Sequence, residues 1–236
     1  MTTTNQNSRR LRRAVAVAVA LLALPVTMGP GRCGFVLDFT ETTLITEQID
    51  RVALGVDDGS IVATAYDREA TLLKRHTFGF EPSLGVASSE VVDGVLQLEA
   101  RCQYEGNCRF DHMFELPLGV GFEVTMADSQ ISLGYIDADI DVTFETGWFK
   151  GVRLASPNFT LALTTGDVTV DFATQPETVT ISVQEGNVAL ELPAGEYRCV
   201  LAASGAVTND GVTCSDAATA VLDVEAKAGD VTVKGI

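Results

Sequence analysis

With 236 residues, 46% of them apolar, the chain is long enough to bury a substantial core, and its formal net charge is −16. Residues 1–32 hold five arginines (Arg9, Arg10, Arg12, Arg13 and Arg32) and no acid, so residues 33–236 carry 11 basic against 32 acidic groups, a net of −21. That balance excludes a nucleic-acid partner, which needs a basic patch and the counterion release it brings, and it fits an extracellular surface kept soluble by self-repulsion.

Residues 1–32 read as a secretory signal peptide. A run of arginines is followed by Ala14–Leu24, eleven unbroken apolar residues, then Pro25 and small residues. Even extended to Met28 the apolar run is 15 residues, short for a membrane-spanning helix. Cys33 follows directly, in the position of the acylated first residue of a bacterial lipoprotein, although Arg32 stands where a small residue is expected. Cleavage after Gly31 beside an incidental cysteine is the alternative. Cysteine arithmetic supports the lipid reading: Cys102/Cys108 and Cys199/Cys214 are each close in sequence and read as disulfides, leaving Cys33 unpaired. The expected location is therefore the periplasm, outer membrane or cell surface, with a membrane tether through an N-terminal lipid.

Residues 33–50 are polar and Thr-rich and read as a tether. A β-repeat domain over 51–236 follows. Val52, Leu54 and Val56 lead to Asp58-Gly59 and then Ile61, an alternation broken by a turn. Residues 66–93 show no regular pattern. Val95–Leu98 and Phe110–Leu116 read as strands flanking Cys102–Cys108.

From 117 to 236 the repeat is clearest. Apolar residues stand seven, five and three positions before a turn residue, and two and four after it. Around Gly166 these are Phe159, Leu161, Leu163, Val168 and Val170. Equivalent sets surround Ser129, Gly186 and Gly229; around Gly147 they are Ile140, Val142, Phe144 and Phe149, with a glycine four positions after the turn, and a weaker set (Val200, Ala202, Val207) surrounds Gly205. The turn residues are spaced 18, 19, 20, 19 and 24 apart, and Pro117, Pro157, Pro176 and Pro193 fall in the gaps, where a residue without an N–H does not break a ladder. A fixed period of two short strands predicts an all-β fold, a β-solenoid of roughly 19-residue units; a β-sandwich is the alternative. No single unit buries enough apolar surface to offset the entropy of ordering it, so the units must stack. Lys227 and Lys234, in the last unit, are expected to guard its open edge.

The Leu-Pro-x-Gly step at Leu116–Gly119 and Leu192–Gly195, with Thr-Gly-Asp-Val-x-Val at Thr165–Val170 and Ala-Gly-Asp-Val-x-Val at Ala228–Val233, resembles the DUF4097 family of adhesin-like bacterial proteins. The resemblance covers about residues 94–236 and, more loosely, 50–93. It implies a β-helix-like domain at the cell envelope and a non-enzymatic role, and supplies no site residues. Gly147-Trp148 and Ser129-Gln130 depart from it, standing where Gly-Asp or Gly-Asn is expected.

Motifs for hydrolases, phosphate binding or zinc are missing, and no cofactor is expected. Two patterns break the repeat. Asp137, Asp139 and Asp141 alternate, so on a strand their carboxylates would share one face and offer oxygen ligands to a metal such as Ca²⁺. Trp148, Lys150 and Arg153 form an aromatic-basic cluster in an acidic region, suited to a sugar ring or a partner protein. The expected function is a non-catalytic envelope protein that binds a surface protein or glycan. A structural or envelope-stress component, and a carbohydrate-active enzyme with paired acids, are the alternatives.

Overall fold

The computed structural model describes residues 36–80, 86–102 and 108–236. The leader and Cys33 lie outside them. Within them the chain is all-β. The strands are β1 (Val36–Ile45), β2 (Arg51–Tyr66), β3 (Thr71–Phe80), β4 (Val86–Val92), β5 (Val95–Arg101), β6 (Cys108–Pro117), β7 (Gly121–Gly134) and β8 (Ile140–Leu154). They continue with β9 (Asn158–Phe172), β10 (Thr178–Glu185), β11 (Val188–Leu192), β12 (Glu196–Ala203), β13 (Val207–Asp210), β14 (Thr213–Cys214), β15 (Val221–Ala226) and β16 (Val231–Gly235). One large, mostly parallel sheet connects them.

The sequence period sets the register. Phe122 pairs with Ile140, 18 residues on, and Ile140 pairs with Phe159, 19 residues on. Along β8 the buried positions are Ile140, Val142 and Phe144, then Phe149 and Leu154. Parity switches across Gly147. On a straight strand those two sets would point to opposite faces; here the strand bends at the glycine, so both halves turn their apolar side to one core. β9 bends the same way at Gly166, with Phe159, Leu161 and Leu163 buried before it and Val168, Val170 and Phe172 after it. The core side chains pack edge-on both between levels, as in Phe149–Phe159 (5.5 Å between ring centroids), and across the bend of one strand, as in Phe159–Phe172 of β9 (5.7 Å).

At both ends the stacking order departs from chain order. β15 inserts between β10 and β12, pairing Leu222 with Val179 on one side and with Cys199 on the other. β16 likewise lies between β11 and β13. The 196–210 level therefore lies outside β15 and β16, with only the two-residue β14 beyond it, and Lys227 and Lys234 do not guard the edge. Lys234 instead pairs with Glu191 across the β16–β11 ladder, at 3.1 Å. The physical reason lies in the core: Leu222, Val224, Val231 and Val233 are fully buried between two neighbours. The 196–210 level has the poorer apolar pattern and caps them from one side. Its inward face also differs from the expected one. Val200 and Val207 are exposed, and Tyr197, Cys199 and Leu201 cover the core instead.

The other end mirrors this. β2 pairs with β7 along one edge and, along the other, with β5 over its first half and β6 over its second. The β5–β6 level is closed by the Cys102–Cys108 disulfide, and Cys199–Cys214 ties β12 to β14 at the opposite end. Both cystines thus sit in the capping levels of the parallel stack. Beyond β6, β3 and then β1 add in antiparallel fashion, and β4 adds to β5. The residues 36–45 expected in the tether are therefore a sheet strand, and the irregular stretch 66–93 supplies β3 and β4.

Candidate functional site

The glycine bends align into a corner column. Gly147, at φ +134°, backs onto Ser129, and Gly166 onto Gly147; a Cβ added to either glycine would lie 1.7 Å from the preceding carbonyl oxygen. The residue after each bend faces outward and forms a second column. Towards the C-terminal end this column is a ladder of side-chain to main-chain hydrogen bonds. Asp167 Oδ1 accepts from the Asn187 N–H (2.9 Å), Asn187 Oδ1 from the Asp230 N–H (3.0 Å), and Asp230 Oδ1 from the Ala206 N–H (2.7 Å). Each level caps the corner of the next. At the far end Asp111 does the same for Ser60 (2.9 Å).

Between these segments the column reads Ser60, Gln130, Trp148, Asp167, neighbour to neighbour in the ladder. Trp148 stands where the ladder would place an Asp or Asn. It is 40% exposed while Phe149, the next residue, is 1% exposed. Among the described residues the indole makes no hydrogen bond or ring contact. Lys150 projects from the same strand two residues on, flanked in register by Ser132 and Thr169. Arg153, at φ +48°, lies in the irregularity that ends β8. Neither cation forms an ion pair among the described residues. Further along the Lys150 row come Val62 and Met113, both exposed, on β2 and β6. The structure thus brings Trp148 and Lys150 together on one outer wall and adds Gln130 and Asp167. Sequence reasoning missed these two because their proximity depends on pairing between levels.

The three aspartates fall elsewhere. Asp137 and Asp139 precede β8, in the corner between levels, and only Asp141 lies on the strand. Asp137 accepts from the Gly119 N–H (2.7 Å) and Asp139 from the Asn158 amide (2.9 Å). Asp139 and Asp141 line an open cleft of about 350 Å³ with Arg51, Glu123, Asn158 and Thr160, in which Arg51 pairs with Glu123 at 3.1 Å. Among the described residues no group of three or more His, Cys, Asp or Glu side chains is arranged to hold a metal.

One polar cluster was not legible in the sequence. His76 on β3 lies 2.6 Å from Asp38 of β1 and 3.6 Å from Asp111 of β6. Asp111 also accepts from the Ser60 hydroxyl (2.7 Å) and from Arg109 Nε (2.9 Å). Burial alone would raise the Asp111 carboxyl, but the hydrogen bonds from Ser60 and Arg109 outweigh it and hold it below its ordinary range. Ser60 and His76 both meet the carboxylate, so the order is Ser–Asp–His. A nucleophile activated by a base requires the serine on the imidazole. Asp58 is pushed up, by burial first and then by the charge of Asp128, yet it does not line the cleft.

No protein-family model matches the chain, and no curated protein matches it. Solved structures resemble it at low identity. A candidate cell adhesion protein from Clostridium sporogenes is 15% identical over 85% of this chain and 100% of its own, with a TM-score of 0.47. A candidate lipid-binding protein from Parabacteroides distasonis is 11% identical over 84% of this chain and 96% of its own (TM-score 0.38). A candidate adhesin from Bacteroides fragilis is 12% identical over 89% of this chain and 100% of its own (TM-score 0.31). At these identities and scores no role passes from them to residues of this chain.

Proposed function

We propose that this chain is an exported, non-catalytic protein of the bacterial envelope, in which a β-solenoid of stacked units displays a rigid binding wall centred on Trp148. One observation carries the reading: the corner ladder is interrupted at Trp148 by a large, exposed aromatic that makes no hydrogen bond or ring contact among the described residues. A ladder position that caps its neighbour contributes to stability, so filling it with an exposed indole gives up a capping hydrogen bond for a surface that can bind. Export and tethering follow from the leader and Cys33. The serine–aspartate–histidine order, in which the serine meets the carboxylate and not the imidazole, favours binding over hydrolysis.

The test is retention of the secreted protein on envelope preparations. Trp148→Ala is expected to lower retention about tenfold or more, in the range of an interface hot spot, while leaving the urea midpoint unchanged. Equal retention of wild type and variant refutes the reading. The second reading, a spacer with no ligand of its own, is favoured by the disulfide-closed ends and predicts that equality.

A further inference from the structure

Resting on the surface-binding reading, we infer that the Trp148 wall is a stacking platform for a neutral pyranose glycan. The inference comes from what surrounds the indole. Gln130 and Asp167 flank it on adjacent strands, each about 4.8 Å away at the backbone. Lys150 stands two residues along, between Ser132 and Thr169. A single aromatic plate therefore sits in a ring of amide, carboxylate, ammonium and hydroxyl groups.

That composition does not suit a protein partner. A stable protein interface buries about 800 Å² per side around several apolar anchors. Among the described residues the nearest large apolar side chain exposed along the wall, Val62, belongs to β2, two strands or about 10 Å from β8, with Gln130 and Ser132 between. A pyranose ring fits. One of its faces presents axial C–H groups, which lie on an indole, and its rim carries hydroxyls that both donate and accept. Gln130 supplies a donor and an acceptor, and Lys150 donates. Asp167 accepts through Oδ2, since Oδ1 is engaged with Asn187. The glycan is neutral because the mature region carries a net of −21 and Asp167 adjoins the plate, so a polyanion is repelled both at long range and at contact. The side chains project from paired strands rather than a loop, so little ordering entropy is lost on binding.

Trp148 is the sole tryptophan, so intrinsic emission reports this site alone. The full secreted chain is titrated with cellohexaose, maltohexaose and chitohexaose, with polygalacturonate as the anionic arm. A saturable change in emission with at least one neutral hexasaccharide is expected. By calorimetry Trp148→Ala should bind that sugar at least about tenfold more weakly, with Trp148→Tyr retaining most of the affinity and Gln130→Ala falling between. Silence with all three neutral sugars, response to polygalacturonate alone, or undiminished sugar binding by Trp148→Ala overturns the glycan assignment. The two readings fail separately. Lost envelope retention without sugar binding leaves the surface-binding reading standing and removes the glycan. Sugar binding at Trp148 with unchanged envelope retention keeps the glycan site and removes the surface-binding role.

Discussion

The carbonyl oxygen of Gly147 lies 1.7 Å from the position a Cβ would occupy on Gly166. Gly166 also holds φ at +141°, a conformation L side chains rarely adopt. Two independent reasons, torsional and steric, thus exclude a side chain at this bend, and the steric obstacle is backbone that cannot rotate away.

Gly166→Ala is therefore expected to destabilise the protein by about 4 kcal/mol or more, well above the ordinary ~1 kcal/mol cost of a backbone-sensitive substitution. Urea unfolding followed by circular dichroism measures it. A loss below about 1 kcal/mol would show that the levels do not approach this closely.

The corner ladder gives a graded prediction. Asp167→Ala removes an acceptor shared by the Asn187 N–H (2.9 Å) and its side-chain amide (3.1 Å), and should cost about 1–2 kcal/mol. Asp167→Asn keeps Oδ1 and should cost about 0.5 kcal/mol or less. Equal losses in the two variants would mean that charge, and not the capping bond, matters at this corner.

The cystine that ties β12 to β14 should act locally. Replacing Cys199 and Cys214 together by Ser is expected to lower stability by about 2–3 kcal/mol. Amide exchange should show β12 and β13 losing protection first, with β9 retaining it. Uniform loss of protection across both would contradict a capping role. Because the 196–210 level pairs on one side with β15 and β16, its fraying leaves the central ladders intact.

His112 provides a pH dependence. It faces the core opposite Arg75 and is 2% exposed. Burial first, and then the Arg75 guanidinium, push its pKa down to about 4. The unfolded chain takes up a proton near pH 6.5, which the folded protein refuses until about pH 4. Stability contributed by this group is thus fully present above about pH 6.5 and falls by about 3 kcal/mol towards pH 4. Phe114 stacks beside the ring at 6.2 Å, so His112→Phe should fit and flatten that part of the profile. A variant with the same acid slope as wild type would assign the lability elsewhere, with Asp111 the first group to test because its lowered carboxyl loses stability in the same direction at lower pH.

For tethering, Cys33→Ser should move the protein from the membrane to the soluble fraction, since the substitution removes the thiol that would carry the lipid. Continued sedimentation of the variant with membranes would rule out acylation at Cys33.

What the sequence determined by itself is local. Alternation and the glycine period placed the bent strands from Gly121 to Phe172, and every inward residue named around Gly147 and Gly166 is buried. Each of those residues reports its own environment through its own side chain. The outward position of Trp148 followed for the same reason, because Phe149 had to face in. Tertiary structure alone decided which levels meet. Parallel strands are joined through corners and carry no turn that specifies the neighbour, so nothing near Leu222 signals that it pairs with Val179, 43 residues back, as well as with Cys199. The same limit hid Gln130 and Asp167 beside Trp148, and Asp38 beside His76. Around Gly205 the inward parity differs from the pattern in the sequence, because Tyr197, Cys199 and Leu201 outweigh Val200 and Val207 in covering the end of the core.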